Sequence, residues 1–312
     1  MPAKLEDITW ARRLKFRHLE VLLVLCETGS ITAAAKELHM TQPAVSHWLA
    51  DIEELVGAPL FFRGRQLKTT AAGEVLRRHA ERMLGDARRT SQDLIAVSQG
   101  LAGTLRVGSI VSAAPSLIPQ TIATLQAESP DLHIHALLEG TFEQLLERLH
   151  QKQVDLIIGP LDIRAQRSGF HTELLITDTV AVVISPGHAL ARKRKPTWQE
   201  ASELPWIMPP QGTIMRQRVE SAFLQAKVPV PPARVETASH VLVQMMLQRG
   251  VYMSALAGSV APIYEGFKLM DVVKLSPTVV FGDIGMLWDG RDVEPKLGKL
   301  IATLREHARG LR

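Results

Sequence analysis

A short stretch of small and polar residues, 42–50, carries side-chain types that can read DNA bases. Gln42 can present its amide to adenine, Ser46 can donate or accept a hydrogen bond, and Pro43 can touch a thymine methyl group. His47 can contact a phosphate or a base, most strongly when it is protonated. This stretch therefore predicts a surface that enters the major groove of duplex DNA.

Two helices joined by a tight turn would position this surface. Val45, Leu49 and Ile52 recur at helical spacing, so they bury one face of a helix and turn the polar residues outward. Thr41 can cap that helix, and Pro43 fits its first turn, where a missing N–H costs nothing. The pattern predicts a helix-turn-helix whose second helix meets the DNA at its N-terminal end.

A two-stranded wing is expected after this helix. Leu60, Phe61 and Phe62 would anchor the wing in the core, and Arg63, Arg65 and Lys68 would place cations beside the DNA backbone. The cations contribute affinity more than sequence choice. An ordinary helical hairpin with a polar surface would explain the periodicity but not the caps, the proline and the cationic wing together.

A second hydroxyl, that of Ser30, can cap the helix that precedes the turn. With this residue, the predicted DNA-binding set is Ser30, Thr32, Thr41, Gln42, Pro43, Ser46, His47, Arg63, Arg65 and Lys68.

Residues 70–98 have the spacing of a coiled coil. Apolar and small side chains recur in steps of four and three, the 3.5-residue period of a helix seam. The seam comprises Leu76, Ala80, Met83, Ala87, Thr90, Leu94 and Val97. We expect a long helix that dimerises through Leu76, Ala80, Met83, Ala87 and Leu94. The alternative is a single helix packed on its own domain, which Gly85 and Thr90 favour because they interrupt the seam.

After Thr104 the pattern changes to alternating strands and helices. Apolar runs at 105–108, 133–138 and 154–159 are separated by single helical stretches. Strands separated in this way form parallel β-α-β units with right-handed crossovers, which indicates an α/β fold. Further elements are predicted at 180–184, 206–208, 215–226, 235–236, 239–249, 251–253, 272–275, 283–288 and 295–307.

A sheet of this kind binds ligands beyond the carboxyl ends of its strands, where helix N-termini offer free N–H groups. The predicted effector-binding residues are Ser109, Ile110, Val111, Ser112, Thr141, Gly159, Pro160, Gln211, Gly212, Thr213, Met215 and Arg216. Hydroxyls and backbone amides suit an oxygen-rich small molecule, and Arg216 could pair with a carboxylate. The alternative is that these residues only cap helices and form turns. Ser239 and His240, at the next helix start, are two further candidates.

The residues of the first part of the chain resemble the winged helix-turn-helix of the LysR-type transcriptional regulators. The resemblance is carried by Ala34-Ala35-x-x-Leu38, Thr41-Gln42-Pro43-Ala44-Val45-Ser46, Ile52-Glu53, Gly57-x-Pro59-Leu60-Phe61-x-Arg63 and Thr70-x-x-Gly73. Phe16-Arg17-His18-Leu19 and Pro231-Pro232-x-x-Val235-Glu236-Thr237-Ala238-Ser239 are similar to the branch that regulates genes of sugar-binding proteins and aromatic acids. His47 and Thr69 depart from the usual pattern, which has arginine or lysine at the first position and leucine at the second.

The resemblance implies an α/β protein in three parts: a DNA-binding head at 1–73, a dimerising linker helix at 74–100, and a two-lobed effector domain at 101–312. The effector domain would resemble periplasmic binding proteins, with lobe I at about 101–166 and 271–312 and lobe II at about 167–270. Ser112, Thr141 and residues 211–216 would contact the effector between the lobes. The resemblance also implies an interrupted palindrome as the DNA site, a homotetramer, and contact with RNA polymerase.

Composition is consistent with a cytoplasmic regulator. Of 312 residues, 46% are apolar and 22% charged, and Lys plus Arg exceed Asp plus Glu by 36 against 32, with the excess spread along the chain. The single cysteine, Cys26, lies in an apolar run and suits a small buried hydrophobe in a reducing compartment. No stretch predicts a signal sequence or a membrane helix.

Enzyme motifs for phosphate loops, nucleophilic serines and metal-binding helices are missing from the sequence, so we expect neither catalysis nor a metal or cofactor. The expected ligand is a small effector, either a sugar or a carboxylate. Two other interpretations stay open. One is a DNA-binding regulator that answers to a protein partner without a small ligand, and the other is a solute-binding or enzymatic α/β protein with a helical accessory domain.

Overall fold

The computed structural model describes residues 9–62, 64, 66–98, 103–139, 141–291 and 293–311. The chain divides into two compact units. The first, here called the head, contains the residues up to Ile95 together with His150–Gln153, and the second, the α/β domain, contains Ala96–Leu149 and Val154–Arg312.

The first part of the chain is mainly helical, as predicted. Its elements in chain order are α1 (Thr9–Arg13), α2 (Phe16–Thr28), α3 (Ile31–Glu37), α4 (Gln42–Val56), β1 (Phe61–Phe62), β2 (Lys68–Thr69) and α5 (Ala71–Ser98). Helices α3 and α4 form the predicted helix-turn-helix, and the paired strands β1 and β2 form the wing.

Local chemistry explains where α3 and α4 begin. The Ser30 hydroxyl accepts the N–H of Ala33 at 3.4 Å, which confirms the predicted N-cap of α3. Thr41 lies at the N-cap position of α4, but its side chain makes no cap hydrogen bond, so the prediction that its hydroxyl caps the helix is wrong. Pro43 lies in the first turn as expected, and its ring presets the helical backbone angle.

The apolar face of α4 is buried as its spacing predicted. Val45 and Ile52 are fully buried and Leu49 is partly buried. Burial of each such side chain stabilises the fold by about 1.5–3 kcal/mol, which holds the opposite face of α4 toward solvent. The head core consists of Leu19, Val21, Leu22, Leu25, Ala34, Ala35, Val45, Ile52, Leu60, Phe61, Leu76, Ala80 and Leu84.

A buried histidine joins α2 to α4. The His18 ring meets the Trp48 ring edge to face, with 4.8 Å between centroids, and its Nδ1 accepts the Lys15 N–H at 2.9 Å. Burial lowers the pKa of His18, against the opposing effect of Asp51 and with the help of Lys15, so the imidazole packs in its neutral form. Nearby, burial raises the pKa of the Cys26 thiol to about 12, which suits the predicted apolar role of this half-buried residue.

The wing is attached to the core through one side of β1. Leu60 and Phe61 are buried as predicted, but Phe62 is 63% exposed, because successive side chains of a strand point to opposite faces. Thr70, just before α5, links the end of the wing to the residues that precede it. The Thr70 hydroxyl donates to the Pro59 carbonyl at 2.7 Å and accepts the Gly73 N–H at 3.1 Å.

The apolar stripe of helix α5 is buried in the first part of the helix and exposed further along it. Leu76 and Ala80 are buried in the core of their own head, so these two residues of the predicted dimer seam are corrected to core residues. Met83, Ala87 and Leu94, further along the same stripe, are exposed, with Leu94 at 66%. The sequence spacing could not separate the two halves, because both have the same period.

The α/β domain follows with eighteen further elements. They are β3 (Thr104–Ile110), α6 (Ala114–Glu128), β4 (His133–Glu139), α7 (Phe142–His150), β5 (Leu156–Pro160), α8 (Ile163–Arg167), β6 (His171–Ile184), α9 (Ala189–Arg192), α10 (Trp198–Ser202), β7 (Trp206–Met208), α11 (Ile214–Gln225), β8 (Ala233–Glu236), α12 (His240–Leu247), β9 (Met253–Ala257), α13 (Ala261–Gly266), β10 (Asp271–Val273), β11 (Val279–Trp288) and α14 (Pro295–Arg309).

Among the described residues the strands form one sheet in the order β4-β3-β5-β11-β6-β9-β7-β8, with β10 also paired to β6. Strands β3, β4 and β5 are parallel, as are β7, β8 and β9, which confirms the expected β-α-β units. Strands β6 and β11 are antiparallel to each other and to their neighbours. We call β3, β4 and β5 with α6, α7, α8 and α14 lobe I, and β7 to β10 with α9 to α13 lobe II.

Strands β6 and β11 pass from one lobe to the other. The last part of β11, Ile284–Trp288, pairs with β5 of lobe I, whereas residues 180–184 of β6 pair with β9 of lobe II. The boundary between lobe I and lobe II therefore lies within β6 and within β11, and not at about residues 166 and 270 as the sequence suggested. Strand β6 also begins at His171, well before the predicted strand at 180–184, and β9 lies at 253–257 instead of 251–253. Pairing with partners distant in the chain decides these bounds.

We predict that Gly73→Ala destabilises the head by about 1–3 kcal/mol. A Cβ at residue 73 would lie 2.1 Å from the Leu60 carbonyl oxygen, a backbone atom that cannot move without opening the wing. Calorimetric unfolding of the full chain measures the change. The control is Gly64→Ala, whose Cβ would have its nearest neighbour, the Gln66 oxygen, at 3.7 Å. Equal effects of the two substitutions would contradict the close approach as the cause.

Candidate functional site

The N-terminal part of α4 presents the predicted base-reading residues to solvent. Gln42, Pro43 and His47 are exposed, and Ser46 is half-buried beside them. His47 Nε2 lies 3.6 Å from the Asp51 carboxylate one turn further along the helix. This face contains amide, hydroxyl and imidazole groups with no bulky apolar side chain among them.

The neighbouring helix adds the other predicted residues on the same side of the turn. Thr32 is exposed in the first turn of α3, and Thr41 is exposed at the start of α4, where its hydroxyl makes no cap bond. The Ser30 hydroxyl is occupied by its cap bond, so its first role is to begin α3. Both helices therefore present their N-terminal ends, where unpaired N–H groups attract anions.

An arginine that sequence reasoning did not assign braces the turn between α3 and α4. Arg17 donates from Nη2 to the Leu38 carbonyl at 3.4 Å and approaches Met40 Sδ at 3.0 Å, while Nη1 pairs with Glu20 at 2.8 Å. His39, inside the turn, has a φ of 53°, in the left-handed region. Arg17 belongs to the Phe16–Leu19 motif, which was the only signal in the sequence for this role.

Hydrogen bonds join the wing and the residue before it to the end of α2 and to α4. The Leu67 N–H donates to the Gly29 carbonyl at 2.9 Å, and Glu53 Oε1 at the end of α4 accepts the Leu60 N–H at 2.7 Å. Lys68 is exposed on β2. Arg63 and Arg65, the other predicted wing cations, lie outside the described residues.

A second concave site lies between the two lobes of the α/β domain. Most of the predicted effector residues line it: Ile110, Val111, Ser112, Thr141, Pro160, Gly212, Thr213 and Met215. They come from the loops after β3, β4, β5 and β7, the carboxyl ends that the sequence indicated.

Two predicted residues of lobe I shape the fold behind the cleft instead of lining it. Ser109 is fully buried in β3, and its hydroxyl donates to the Ile110 carbonyl at 3.0 Å. Gly159 lies under the Phe142 ring, where a Cβ would come within 2.5 Å of a ring carbon. Both predictions are corrected, because position at a strand end does not tell which way a side chain points.

In lobe II, Arg216 does not reach out to a ligand. Its side chain is 9% exposed, and its guanidinium pairs with Glu220 at 2.5 Å and Glu236 at 3.5 Å. It also donates to the Pro209 carbonyl at 3.2 Å, so Arg216 supports the loop that forms the cleft wall. Gln211 is exposed and donates its backbone N–H to Glu236 at 3.3 Å, outside the cleft lining. Arg216 was predicted to pair with a carboxylate of the ligand, but its carboxylate partners are Glu220 and Glu236 of the protein itself.

The cleft has further lining residues outside the predicted effector-binding set, although Ile214 lies within the predicted 211–216 loop. His240, one of the two further candidates, is one of them, together with Phe142, Glu143, Arg164, Pro209, Pro210, Ile214, Thr237, Ala238, Val243, Ser254, Ala255 and Leu256. Residues 254–256 were missed because the predicted strand ended at 253, two residues before the middle of β9. Arg164 follows β5 at the start of a short helix, which the sequence did not resolve.

Three titratable residues line the cleft: Glu143, Arg164 and His240. The Asp162 carboxylate raises the pKa of Arg164, and Glu143 pairs with the same guanidinium, so this cation is held in place. Burial lowers the pKa of His240, so its imidazole is neutral at neutral pH while no anion is present. The His240 ring meets Tyr264 edge to face, with 6.2 Å between centroids.

Four helices of eight residues or more begin at the cleft. Lining residues lie at or just before the starts of α6, α7, α11 and α12. Thr213 and Ser239 cap α11 and α12 through their hydroxyls, at 3.2 Å from the N–H groups of Arg216 and Leu242. The remaining N–H groups of these first turns favour negative charge in the cleft.

Within the described part of the chain, no helix is long and apolar enough to cross a membrane. The same residues contain no group of three or more His, Cys, Asp or Glu side chains arranged to hold a metal ion.

Comparison with known proteins covers both units. Residues 16–74 match the family described as bacterial regulatory helix-turn-helix protein, lysR family. Residues 98–309 match the family described as LysR substrate binding domain. The HTH-type transcriptional regulator GbpR of Azospirillum brasilense is 30% identical over 296 residues, which cover 94% of this chain and 86% of GbpR. The HTH-type transcriptional regulator PcaQ of Agrobacterium fabrum is 27% identical over 301 residues, covering 95% and 96%.

Solved structures share the fold over nearly the whole chain. A full-length OxyR variant from Pseudomonas aeruginosa has a TM-score of 0.60 at 21% identity, covering 93% of this chain and 97% of its own. Full-length CbnR in complex with its target DNA has a TM-score of 0.58 at 19% identity, covering 94% and 100%. The relatives GbpR and PcaQ are both named as transcriptional regulators. The chain belongs to the LysR family and is a LysR-type DNA-binding transcriptional regulator with an effector-binding domain.

Proposed function

We propose that this regulator reads an interrupted palindrome with two heads, each of which places the exposed face of α4 in the major groove. The observation that carries the proposal is the row of Gln42, Pro43 and His47, exposed on a helix whose other face is buried. The partial positive charge at the N-terminal end of α4 favours its approach to the DNA. Short polar side chains there can reach base edges in the groove.

Contacts to the DNA backbone would come from the elements around this face. Thr32 and Thr41 offer exposed hydroxyls beside two helix N-termini, and Lys68 offers a cation on the wing. Arg63 and Arg65 extend this cationic segment by sequence. Such contacts add salt-dependent affinity without choosing the sequence.

Pairing of two heads would use the second half of the α5 stripe. Met83, Ala87 and Leu94 are exposed there, and Val97, at 65% exposed, continues the same seam. An exposed apolar stripe with a 3.5-residue period is typical of a coiled-coil interface. A dimer through α5 matches a two-fold DNA site, and two such dimers would form the homotetramer expected of this family.

The effector that fits the cleft best is a small carboxylate with an apolar body. Helix N-termini, the hydroxyls of Ser112 and Thr141, and the imidazole of His240 can receive the anion, while Phe142 and Ile214 line an apolar wall. An anion near His240 would favour its protonated form and so gain an ion pair. An uncharged sugar is the second candidate, because the same hydroxyls can bind it.

Binding in the cleft would favour one arrangement of the lobes, and through it one spacing of the heads along the DNA. The effector can shift this equilibrium only by its difference in affinity for the two arrangements. We place this action in the bacterial cytoplasm, where duplex DNA and RNA polymerase are both present. Contact with the polymerase would convert the changed DNA arrangement into a change of transcription.

The test of this function is to capture fragmented genomic DNA with the full chain, sequence it, and repeat the selection with Gln42→Ala. The parent should enrich a few palindromic sites. The variant should lose preference at one base pair per half-site by roughly 1–3 kcal/mol, because a bidentate amide contact is removed. Gln225→Ala, the same change at an exposed position of α11, is the control. Equal weakening on every sequence would remove Gln42 from the base-reading residues.

We predict that Leu94→Lys dissociates the head dimer. A lysine in the seam places two like charges at an apolar contact, which should raise the dissociation constant about tenfold or more. Sedimentation velocity over a concentration series measures it. Gln92→Lys, exposed on the opposite side of the helix, is the control and should leave association unchanged. Association of Leu94→Lys equal to that of the control would exclude this seam.

We also predict that a carboxylate from a metabolite panel raises the melting temperature of the full chain, whereas neutral compounds of the same size do not. His240→Gln should weaken this binding about tenfold, since it removes a group that can become cationic. His135→Gln, at an exposed position on β4, should bind like the parent. Melting that no compound changes would favour regulation by a protein partner, and stabilisation by neutral sugars alone would favour the second candidate.

A further inference from the structure

A buried carboxylate lies where β6 passes from lobe I to lobe II. Asp178 is 5% exposed and pairs in register with Gly282 of β11. The segment of β6 before it pairs with the part of β11 that joins lobe I, and the segment after it pairs with β9 of lobe II. Asp178 therefore lies at the point about which the lobes can move relative to each other.

The hydrogen-bond donors to Asp178 come from the next residue of β6 and from the loop after β9. Oδ1 accepts the N–H of Thr179 at 2.7 Å and the N–H of Ser259 at 3.0 Å, and Oδ2 accepts the Ser259 hydroxyl at 2.6 Å. A buried carboxylate needs such donors, because it has lost its water. Ser259 follows β9 in lobe II, so this lobe is bound to the crossover strand through both its backbone and its side chain.

The Ser259 hydroxyl also reaches lobe I. Its oxygen lies 3.2 Å from the hydroxyl oxygen of Ser116, a buried residue in the first turns of α6. The Ser116 hydroxyl donates to the Ala113 carbonyl at 3.0 Å. Each hydroxyl has one proton, so with Ser259 donating to Asp178, Ser116 donates either to Ala113 or to Ser259. Rotation of the Ser116 hydroxyl about its Cβ–Oγ bond can thus make or break the hydrogen bond between the lobes.

The chain is built to allow this close approach. A Cβ at Gly258 would lie 2.1 Å from Thr179 Oγ1 and 3.1 Å from Asp178 Oδ1. The Gly258 N–H donates to the Thr179 carbonyl at 2.7 Å. Only a residue without a side chain lets the loop lie this near to β6, and the loop in turn places Ser259 between Asp178 and Ser116.

We propose that Asp178, Ser259 and Ser116 form a latch that sets the arrangement of the two lobes. The latch favours the arrangement in which the three groups meet, and it is released when the lobes rotate about the centre of β6. The loop that leads into α6, through Val111 and Ser112, and the middle of strand β9, through Ser254–Leu256, both line the cleft, so movement at the latch changes the width of the cleft. This inference does not depend on which compound the cleft binds.

The experiment measures the distance between the lobes in the full chain without any ligand. Nitroxide labels are attached at Gln126→Cys in α6 and Gln225→Cys in α11, both exposed positions, in a Cys26→Ala background. Labelled chains are diluted into an excess of unlabelled chains, so that each oligomer carries one labelled pair. Pulsed electron resonance then gives the distribution of distances in the parent, in Ser259→Ala and in Ser116→Ala.

Ser259→Ala should shift the ratio between lobe arrangements by about two- to tenfold, the factor that loss of one hydrogen bond gives, and should show a second distance. Ser116→Ala, which releases the latch from the other lobe, should populate the same second distance. The control is Ser202→Ala, which removes a serine hydroxyl that donates within the α10 turn, to the Gln199 carbonyl. Circular dichroism verifies that each variant is folded. Distributions of both latch variants that match the parent and the control would overturn the proposal.

Discussion

The antiparallel pairing of β6 with β11 is the constraint on which the α/β domain depends. Each lobe is a set of parallel strands with its own helices, and these two strands are the sheet members shared between the lobes. Because both strands pass from one lobe into the other, they form the pivot between the lobes. The loops of the cleft face each other across that pivot. A small change of angle at residues near Asp178 therefore changes the cleft.

The head is organised by a different constraint, the burial of one face of α4. Val45 and Ile52 enter the core, His18 packs its neutral ring against Trp48, and Arg17 holds the turn before the helix. These contacts leave the helix little freedom to rotate about its axis. The exposed row that starts at Gln42 is consequently presented in one orientation, as recognition of base edges requires.

Two buried charged side chains, Arg216 and Asp178, stabilise the α/β domain but do not line its cleft. Arg216 is paired with Glu220 and Glu236 and supports the loop from Pro209, and Asp178 is held by donors from Thr179 and Ser259. A buried ionic group fixes geometry, because its partners must stay in place to satisfy it. Arg216 thereby holds a loop that lines the cleft, and Asp178 holds the loop after β9 against β6.

The amino-acid pattern alone indicated the helix-turn-helix, the alternating strands and longer helices, the family, the exposed face of α4 and the loops that border the cleft, but it missed the short helices α8, α9, α10 and α13. Caps such as Ser30, the proline in the first turn and the 3.6-residue period act over a few neighbouring residues, so they can be read locally. No local pattern indicated that Leu76 and Ala80 enter the head core, that Arg216 is internally paired, or that β6 begins at His171. Each of these outcomes depends on a partner far along the chain, which supplies the covering surface, the counter-charge or the neighbouring strand that no local pattern contains.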